Sequence, residues 1–375
     1  MPPRTTTGTA ITGHGLWHPD PILTNDDLVV CFNEFVRRYN EQHPDEPPLK
    51  PSSSEFILKA SGIKNRYVHD LTGLLDPERM CPNIADRPEE QISVQAEYAV
   101  NAAKVALARA GKTGEDVDLV VLGASNLQRL YPAISIEVQN AVGARGWALD
   151  MSLGCSAATG ATIVASQAIQ SGTATCALVV VPELTTPHMN WRERDSHFIF
   201  GDASVALVIE KTDRAKAGSW EIVSTKMMSK WSPTAIRNNY GYLDRCDPTT
   251  KDTGVADSKL FHQQGRRVFK DVVPLAAAFI KEHLESNGLT PEQINRFWLH
   301  QANQKLNEVV AEWVLGRVAT REEAPIILDE FGNTASAGSL LAFSRHNEDM
   351  AKGSYGVMSS FGAGYSLASL LLQRT

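Results

Sequence analysis

One cysteine stands where a sequence can make sulfur reactive. Leu149-Asp-Met-Ser-Leu153 reads as a strand, Gly154-Cys155 as the turn that ends it, and Ser156 to Ile169 as a helix with almost no charge and many small residues, among them Ala157, Ala158, Gly160, Ala161 and Ala165. A helix this apolar on every side is expected to be buried. Cys155 then sits at the N-terminus of a buried helix, where the dipole and free N–H groups lower a thiol pKa and favour a thiolate nucleophile. The same context also suits an inert core cysteine. Two distant residues complete a nucleophile's setting: His300, which follows the strand Arg296 to Leu299, and Asn333. Taken singly, His300 reads equally as a core histidine and Asn333 as a helix N-cap.

An internal repeat is what would bring them together. Gly111 to Asn126 lines up without a gap on Gly288 to Asn303, an offset of 177 residues, and Gly154 to Gly160 lines up on Gly332 to Gly338 at an offset of 178. Two matches in order at nearly one offset argue for duplicated halves. Under this repeat Cys155 corresponds to Asn333, and strand-end residues of the two halves converge on one pocket. The expected division is 1–215 and 216–375, meeting at the polar break Lys211 to Gly218, with insertions in the first half near 31–54 and 72–90. The elements are those of an α/β fold. The stripe Ile92, Ala96, Ala99, Ala103, Leu107, Ala110 has helical spacing and stops at Gly111. Val117 to Leu122 is a buried strand, and a short strand-like run, Ala10 to Thr12, precedes Gly13 and Gly15.

Composition narrows the function classes. The 375 residues are 43% hydrophobic and 21% charged, with a net charge of −7, which disfavours a broadly basic nucleic-acid binder. The longest apolar run, Cys176 to Val181, is far short of the ~20 residues that span a bilayer. Met1 to Gly15 carries one Arg and no apolar core, so no signal peptide is expected and a cytoplasmic protein fits. The five cysteines contain no C-x-x-C, which speaks against a disulfide framework or a zinc site. Cys31, Cys81, Cys176 and Cys246 read as buried small hydrophobes. Gly362-Ala-Gly364 lacks the third glycine of a dinucleotide fingerprint, and no G-x-S-x-G serine elbow occurs.

Five segments, in order, carry a resemblance: Gly154-Cys-Ser-Ala157, Phe200-Gly-Asp-Ala203, Leu299-His-Gln-Ala-Asn303, Phe331-Gly-Asn-Thr334 and Phe361-Gly-Ala-Gly364. Over nearly its whole length the chain resembles the beta-ketoacyl-[acyl-carrier-protein] synthase III family, the initiating condensing enzymes of the thiolase superfamily. The resemblance implies a thiolase fold, a five-layer αβαβα sandwich of two duplicated halves, and a homodimer. It implies that Cys155 accepts an acyl group from acyl-CoA or acyl-ACP. His300 and Asn333 then hold malonyl-ACP while it decarboxylates and condenses to a 3-oxoacyl-ACP, in fatty acid or specialised-metabolite biosynthesis. It further implies an oxyanion hole from the N–H groups of Cys155 and Gly364, and an acyl pocket lined by Phe200, Phe361 and Tyr131, the last reaching into the dimer mate. Phe56, Arg194, Asn303, Lys270 and Lys305 would mark the CoA or acyl carrier protein entrance. Arg266, Arg267, Lys270 and Lys305 could form a basic patch for the acidic carrier. No metal or redox cofactor is required.

The entrance departs from the family. An adenine-stacking Trp and Arg are expected there, whereas Phe56 and Ala60 occupy those positions. With that cation–π sandwich lost, the expected donor is an acyl carrier protein or a longer acyl-CoA rather than simple acetyl-CoA. Three other readings compete. One is a condensing-fold acyltransferase with a non-malonyl acceptor. Another is a 3-hydroxy-3-methylglutaryl synthase-like enzyme, which needs a general-acid Glu that neither Glu137 nor Glu183 is placed to supply. The third is a non-catalytic subunit of a heterodimeric synthase, against which the intact Cys155, His300, Asn333 set argues.

Overall fold

The structure is a computed structural model and describes residues 8–88, 90–232, 236–238 and 260–375. The first half contains β1 (Thr9–Trp17), β2 (Ile22–Thr24), α1 (Asn25–Gln42), α2 (Ser54–Ser61), β3 (Asn65–Tyr67), α3 (Val94–Ala110), β4 (Leu119–Ala124), α4 (Ile134–Val142), β5 (Trp147–Ser152), α5 (Ala157–Ser171), β6 (Cys176–Glu183) and β7 (Ala203–Lys211). Then follow β8 (Trp220–Ser229), β9 (Ile236–Asn238), β10 (Phe261–Gln263), α6 (Gly265–Ser286), β11 (Arg296–Leu299), α7 (Gln304–Leu315), α8 (Leu328–Phe331), α9 (Gly338–Arg345), β12 (Tyr355–Gly362) and β13 (Ser366–Arg374).

Continuous apolar runs form central strands because both faces must be covered. β4 and β6 are such runs, with every residue buried. Among the described residues one sheet orders nine strands as β11-β12-β13-β8-β1-β7-β6-β4-β5. β4 lies parallel to β6, and β6, β7 and β1 then alternate antiparallel. Across the β1–β8 seam the same sequence of directions recurs: β11 is parallel to β12, and β12, β13 and β8 alternate antiparallel.

Helices cover the sheet on both outer sides and fill the space between its halves. One core joins α3 and α4 to β4, β6 and β7. A second joins α6 and α7 to β11, β12 and β13. The central core takes α5 and α9 together with strands of both halves. These are the five layers α, β, α, β, α of a thiolase fold, with the two β layers continuous through β1 and β8.

Local chemistry explains several boundaries. The Ser93 side chain caps α3 by accepting the Ala96 N–H, and Gly111 ends the helix at φ +68°. Thr113 N–H donates to Asp116 (2.8 Å) and Thr290 N–H donates to Gln293 (2.8 Å), so an equivalent capped 3₁₀ turn leads towards β4 and β11, 177 residues apart. β1 runs on to Trp17, well past Thr12, because Gly13 and Gly15 let α3 lie directly on it. A Cβ on Gly13 would stand 2.3 Å from the Ala106 carbonyl, and one on Gly15 would stand 2.4 Å from that of Ala102.

Residues 31–42 extend α1, while 43–53 and 72–88 are irregular. They brace one another: Cys31 Sγ donates to Leu74 O, Asn33 bonds Ser52 in both directions, and Arg38 pairs with Glu78. Cys31 and Cys176 are buried as expected, whereas Cys81 is exposed in the irregular second stretch. Cys246 lies outside the described residues. Among the described residues no helix is long and apolar enough to cross a membrane.

Gly15→Ala tests the β1–α3 contact. The added methyl forces α3 off the sheet, so chemical denaturation should show a loss of ~1–3 kcal/mol, the usual cost of overpacking a core. An unchanged midpoint would contradict the contact.

Candidate active site

Three loops at strand ends bring the site together. The first is the elbow after β5. Gly154 turns the chain at φ +51°, Leu153 and Cys155 form an isolated bridge across it, and α5 begins two residues after Cys155. The other half of the molecule holds this elbow: Ser156 Oγ donates to Ser366 O (2.9 Å), and Ser366 Oγ donates to Leu153 O (3.1 Å). Gly362 leaves room for the thiol, since a Cβ there would lie 2.5 Å from Cys155 Cβ and 3.0 Å from Sγ.

His300 follows β11. Its backbone N–H donates to Ser359 O (2.9 Å) on β12, and its ring meets Phe361 edge-on at 5.5 Å. Burial pushes the imidazole down to about 4, so it is neutral at physiological pH. Among the described residues the buried Nδ1 has no hydrogen-bond partner, and His300 lines the cavity, so the proton is assigned to Nε2, the nitrogen left to face a ligand.

Asn333 follows α8 and is fixed through its backbone. Its N–H donates to Ile199 O (2.8 Å) and its carbonyl accepts from Gly201 N–H (3.1 Å). Its Oδ1 accepts the Ala335 N–H (2.9 Å), which leaves Nδ2 as the group able to donate to a ligand. The neighbouring Phe200–Gly201 strip is anchored by Asp202, whose buried carboxylate accepts the N–H groups of His69, Thr185 and Thr186 and the Thr186 hydroxyl.

Cys155, His300 and Asn333 line one cavity of about 590 Å³. Phe198, Phe200, Phe261 and Phe361 give it apolar walls, and exposed Lys59, Arg266 and Lys305 stand among its lining residues at the solvent side. Phe261 belongs to the two-stranded β9–β10 sheet and meets Phe200 edge-on at 4.7 Å. Sequence reasoning missed this wall, because a three-residue strand paired with another more than twenty residues earlier leaves no periodic signal.

The Cys155 thiol differs from expectation. Burial chiefly, with the nearby Glu183 charge added, pushes it up to about 12, against the opposing pull of the Ala363 N–H and its own N–H. The desolvation of a buried thiolate thus outweighs the end-of-helix effect. The second amide reaching the sulfur is that of Ala363, one residue before the expected Gly364. The Gly364 carbonyl accepts from Ser232 N–H (2.6 Å).

Other predicted positions divide. Phe200 and Phe361 line the cavity, as do Asn303 and Lys305. Asn303 also caps α7 and donates to Ala60 O (2.7 Å), and Lys305 pairs with Glu308 at 3.8 Å. Phe56 and Arg194 lie off the cavity and stack on each other, with the guanidinium 3.9 Å from the ring centroid and its Nε donating to Pro51 O. Lys270 is exposed on α6 and also off the cavity, and Tyr131 is 87% exposed on a surface loop. Neither Glu137 nor Glu183 lines the cavity. Glu137 accepts from Ser93 N–H and pairs with Arg129.

Known proteins resemble this chain in sequence and fold. Residues 149–230 match the family model "3-Oxoacyl-[acyl-carrier-protein (ACP)] synthase III" and residues 284–374 match its C-terminal counterpart. The chain is 48% identical over 351 residues to "Beta-ketodecanoyl-[acyl-carrier-protein] synthase" of Pseudomonas aeruginosa, covering 92% of this chain and 99% of that protein. It is 28% identical over 368 residues to "Beta-ketoacyl-[acyl-carrier-protein] synthase III" of Rhodospirillum centenum, covering 97% and 98%. Among solved structures, 3-oxoacyl-[acyl-carrier-protein] synthase III from Aquifex aeolicus superposes with a TM-score of 0.74 at 26% identity, covering 97% of this chain and 99% of that one.

A half-buried thiol of raised pKa predicts a particular alkylation profile for the free protein. Iodoacetamide labelling of Cys155, followed by intact mass, should accelerate about tenfold per pH unit from 7 to 9, because only the thiolate reacts. A rate that levels off below pH 7 would show a thiolate already formed.

Proposed function

The chain belongs to the 3-oxoacyl-[acyl-carrier-protein] synthase III family, and from that premise we propose that it extends a medium-chain acyl thioester by two carbons, using malonyl-ACP and an acyl–Cys155 intermediate. The observation that carries the proposal is the convergence of Cys155, His300 and Asn333 on one apolar-walled cavity. The 48% identical relative is named for a ten-carbon 3-oxoacyl product, which two-carbon extension makes from an eight-carbon acyl group.

The first half-reaction is thioester exchange. Cys155 sulfur bonds to the acyl carbon, the carrier thiol leaves, and the cysteine proton goes to that thiol. The amides of Cys155 and Ala363, which reach the sulfur in the free protein, donate to the oxyanion of the tetrahedral intermediate. The second half-reaction breaks the malonyl carbon–carboxylate bond, releases CO₂ and leaves an enolate. His300 Nε2–H and Asn333 Nδ2–H donate to its oxygen, and in a site shielded from water such donors are worth more than in solvent. The enolate carbon then attacks the acyl–Cys155 carbonyl, the carbon–sulfur bond breaks, and the sulfur departs as a thiolate that takes one proton from solvent water. Written this way, the reaction asks for no metal, nicotinamide or flavin.

Two partners follow. The exposed basic side chains Lys59, Arg266, Arg267, Lys270 and Lys305 suit an acidic carrier protein even though the chain is net negative. β5 is an edge strand, and Leu130, Tyr131, Ile136 and Trp147 expose apolar area near it. An open edge with apolar neighbours is a template for pairing, and a second copy of this chain is the occupant we assign. The duplicated halves 1–215 and 216–375 remain our reading of the chain's organisation, and the cytoplasm our reading of its location.

A panel of C2 to C12 acyl-CoAs and acyl-ACPs, read by intact mass, tests the proposal. The octanoyl group should load Cys155 fastest, acetyl slowly, and Cys155→Ala should take up none. Adding carboxyl-labelled malonyl-ACP should then release one CO₂ per acyl group lost. Fastest loading by acetyl-CoA overturns the chain length, and acyl loss without CO₂ favours a non-malonyl acceptor.

A further inference from the structure

One buried carboxylate from the first half holds the turn that carries Asn333. Glu183 ends β6 and is 1% exposed. Its Oε1 accepts the Ser336 N–H (2.9 Å), the Ser336 hydroxyl and the Ser125 N–H (2.9 Å), while Oε2 accepts the Ser125 hydroxyl (2.7 Å). Ser125 continues β4, and Ser336 lies in the 3₁₀ turn Ala335–Ala337, three residues past Asn333. This one carboxyl group, whose pKa burial raises against the lowering pull of its serine hydrogen bonds, therefore ties two strand ends of one half to the Asn333 turn of the other.

That turn is not in a relaxed conformation. Ala335 has φ +45°, a left-handed value that costs a side-chain-bearing residue energy unless its surroundings enforce it. Two sets of bonds do so. On one side the Ala335 N–H donates to Asn333 Oδ1, and on the other Ser336 is held by Glu183. Release of Ser336 would let Ala335 relax, withdraw its N–H from Oδ1 and leave the Asn333 carboxamide free to rotate. An apolar pair could hold the loop without the desolvation cost of a buried charge, but it would not fix the turn's direction so narrowly.

We propose that Glu183 is a positioning residue for the second half-reaction: by anchoring Ser336 it keeps the Asn333 Nδ2–H aimed at the malonyl thioester oxygen. The inference rests on the role given to Asn333 above. Glu183 touches neither substrate nor Cys155, so transfer of the acyl group to the sulfur does not depend on its bonds to Ser336. Its negative charge opposes a thiolate at Cys155, so neutralising it does not hinder that first step electrostatically.

The test compares the two half-reactions in Glu183→Gln, Ser336→Ala and Asn333→Ala. Intact mass reads loading of Cys155 by the acyl donor that the unsubstituted protein takes up fastest, and labelled malonyl-ACP reads CO₂ release from the preloaded protein in a single turnover. In Glu183→Gln, CO₂ release should fall about 10²-fold, the scale of an ångström-sized misplacement, while loading stays within about threefold. The Cys155 alkylation profile should also shift to lower pH. Ser336→Ala leaves the carboxylate and three of its four donors, so it tests the clamp even if Glu183→Gln does not fold, and should slow CO₂ release selectively but less. Equal slowing of both half-reactions, or unchanged CO₂ release, overturns the proposal. If Asn333→Ala loses CO₂ release and the two clamp variants do not, the clamp alone fails. If Asn333→Ala retains it, the reading of Asn333 fails with it.

Discussion

Withdrawal from bulk water of one imidazole and one carboxamide, and in part of one thiol, is the constraint on which the site depends. It keeps His300 uncharged and gives its Nε2–H, with the Asn333 amide, a surrounding in which a developing oxyanion feels their full effect. The same dryness works against Cys155, whose thiolate is costly there and whose proton is retained in the free protein. The site thus suits neutral donors facing a transient negative charge better than it suits a standing one. Ground-state charge is suppressed, and the stabilising groups are already in place when charge appears on substrate oxygen.

Such a cavity requires several chain segments to end at one place without leaving backbone groups unpaired. The sheet meets this requirement through its repeated order of strand directions on either side of the β1–β8 seam, which sends the ends of β5, β11 and β12 to the same region. Close approaches then set the final distances. Gly362 admits the Cys155 thiol, Gly154 turns its elbow, and Ser156 and Ser366 lock that elbow to the opposite half. Asn333 is held by the Phe200–Gly201 strip, which Asp202 fastens in turn. Each reactive side chain therefore depends on contacts made by a distant part of the chain.

Much of this was legible in the sequence for identifiable reasons. The α3 stripe and its Gly111 stop, and the continuous apolar β4, follow from local periodicity and capping, which do not need the rest of the chain. The grouping of Cys155 with His300 and Asn333 came from the internal repeat and from five ordered motifs, both of which carry long-range information. What stayed hidden depends on three-dimensional detail. Which amide reaches the sulfur, Ala363 rather than Gly364, is decided by a one-residue register in the turn between β12 and β13. The direction of the Cys155 shift is a contest between burial and amide dipoles, and only the depth of burial decides it. The contacts of Arg194, a stack on Phe56 and an Nε bond to the Pro51 carbonyl, likewise join segments far apart in the chain and leave no local signal.

The most direct measurement is the pH dependence of a single condensation turnover, started from protein already acylated on Cys155 so that thiol ionisation drops out. If the cavity holds His300 neutral down to about 4, the rate with malonyl-ACP is flat between pH 5.5 and 8. A rate that changes through a midpoint near the ordinary imidazole value of 6.5 would show a solvated, titrating His300 and contradict the account.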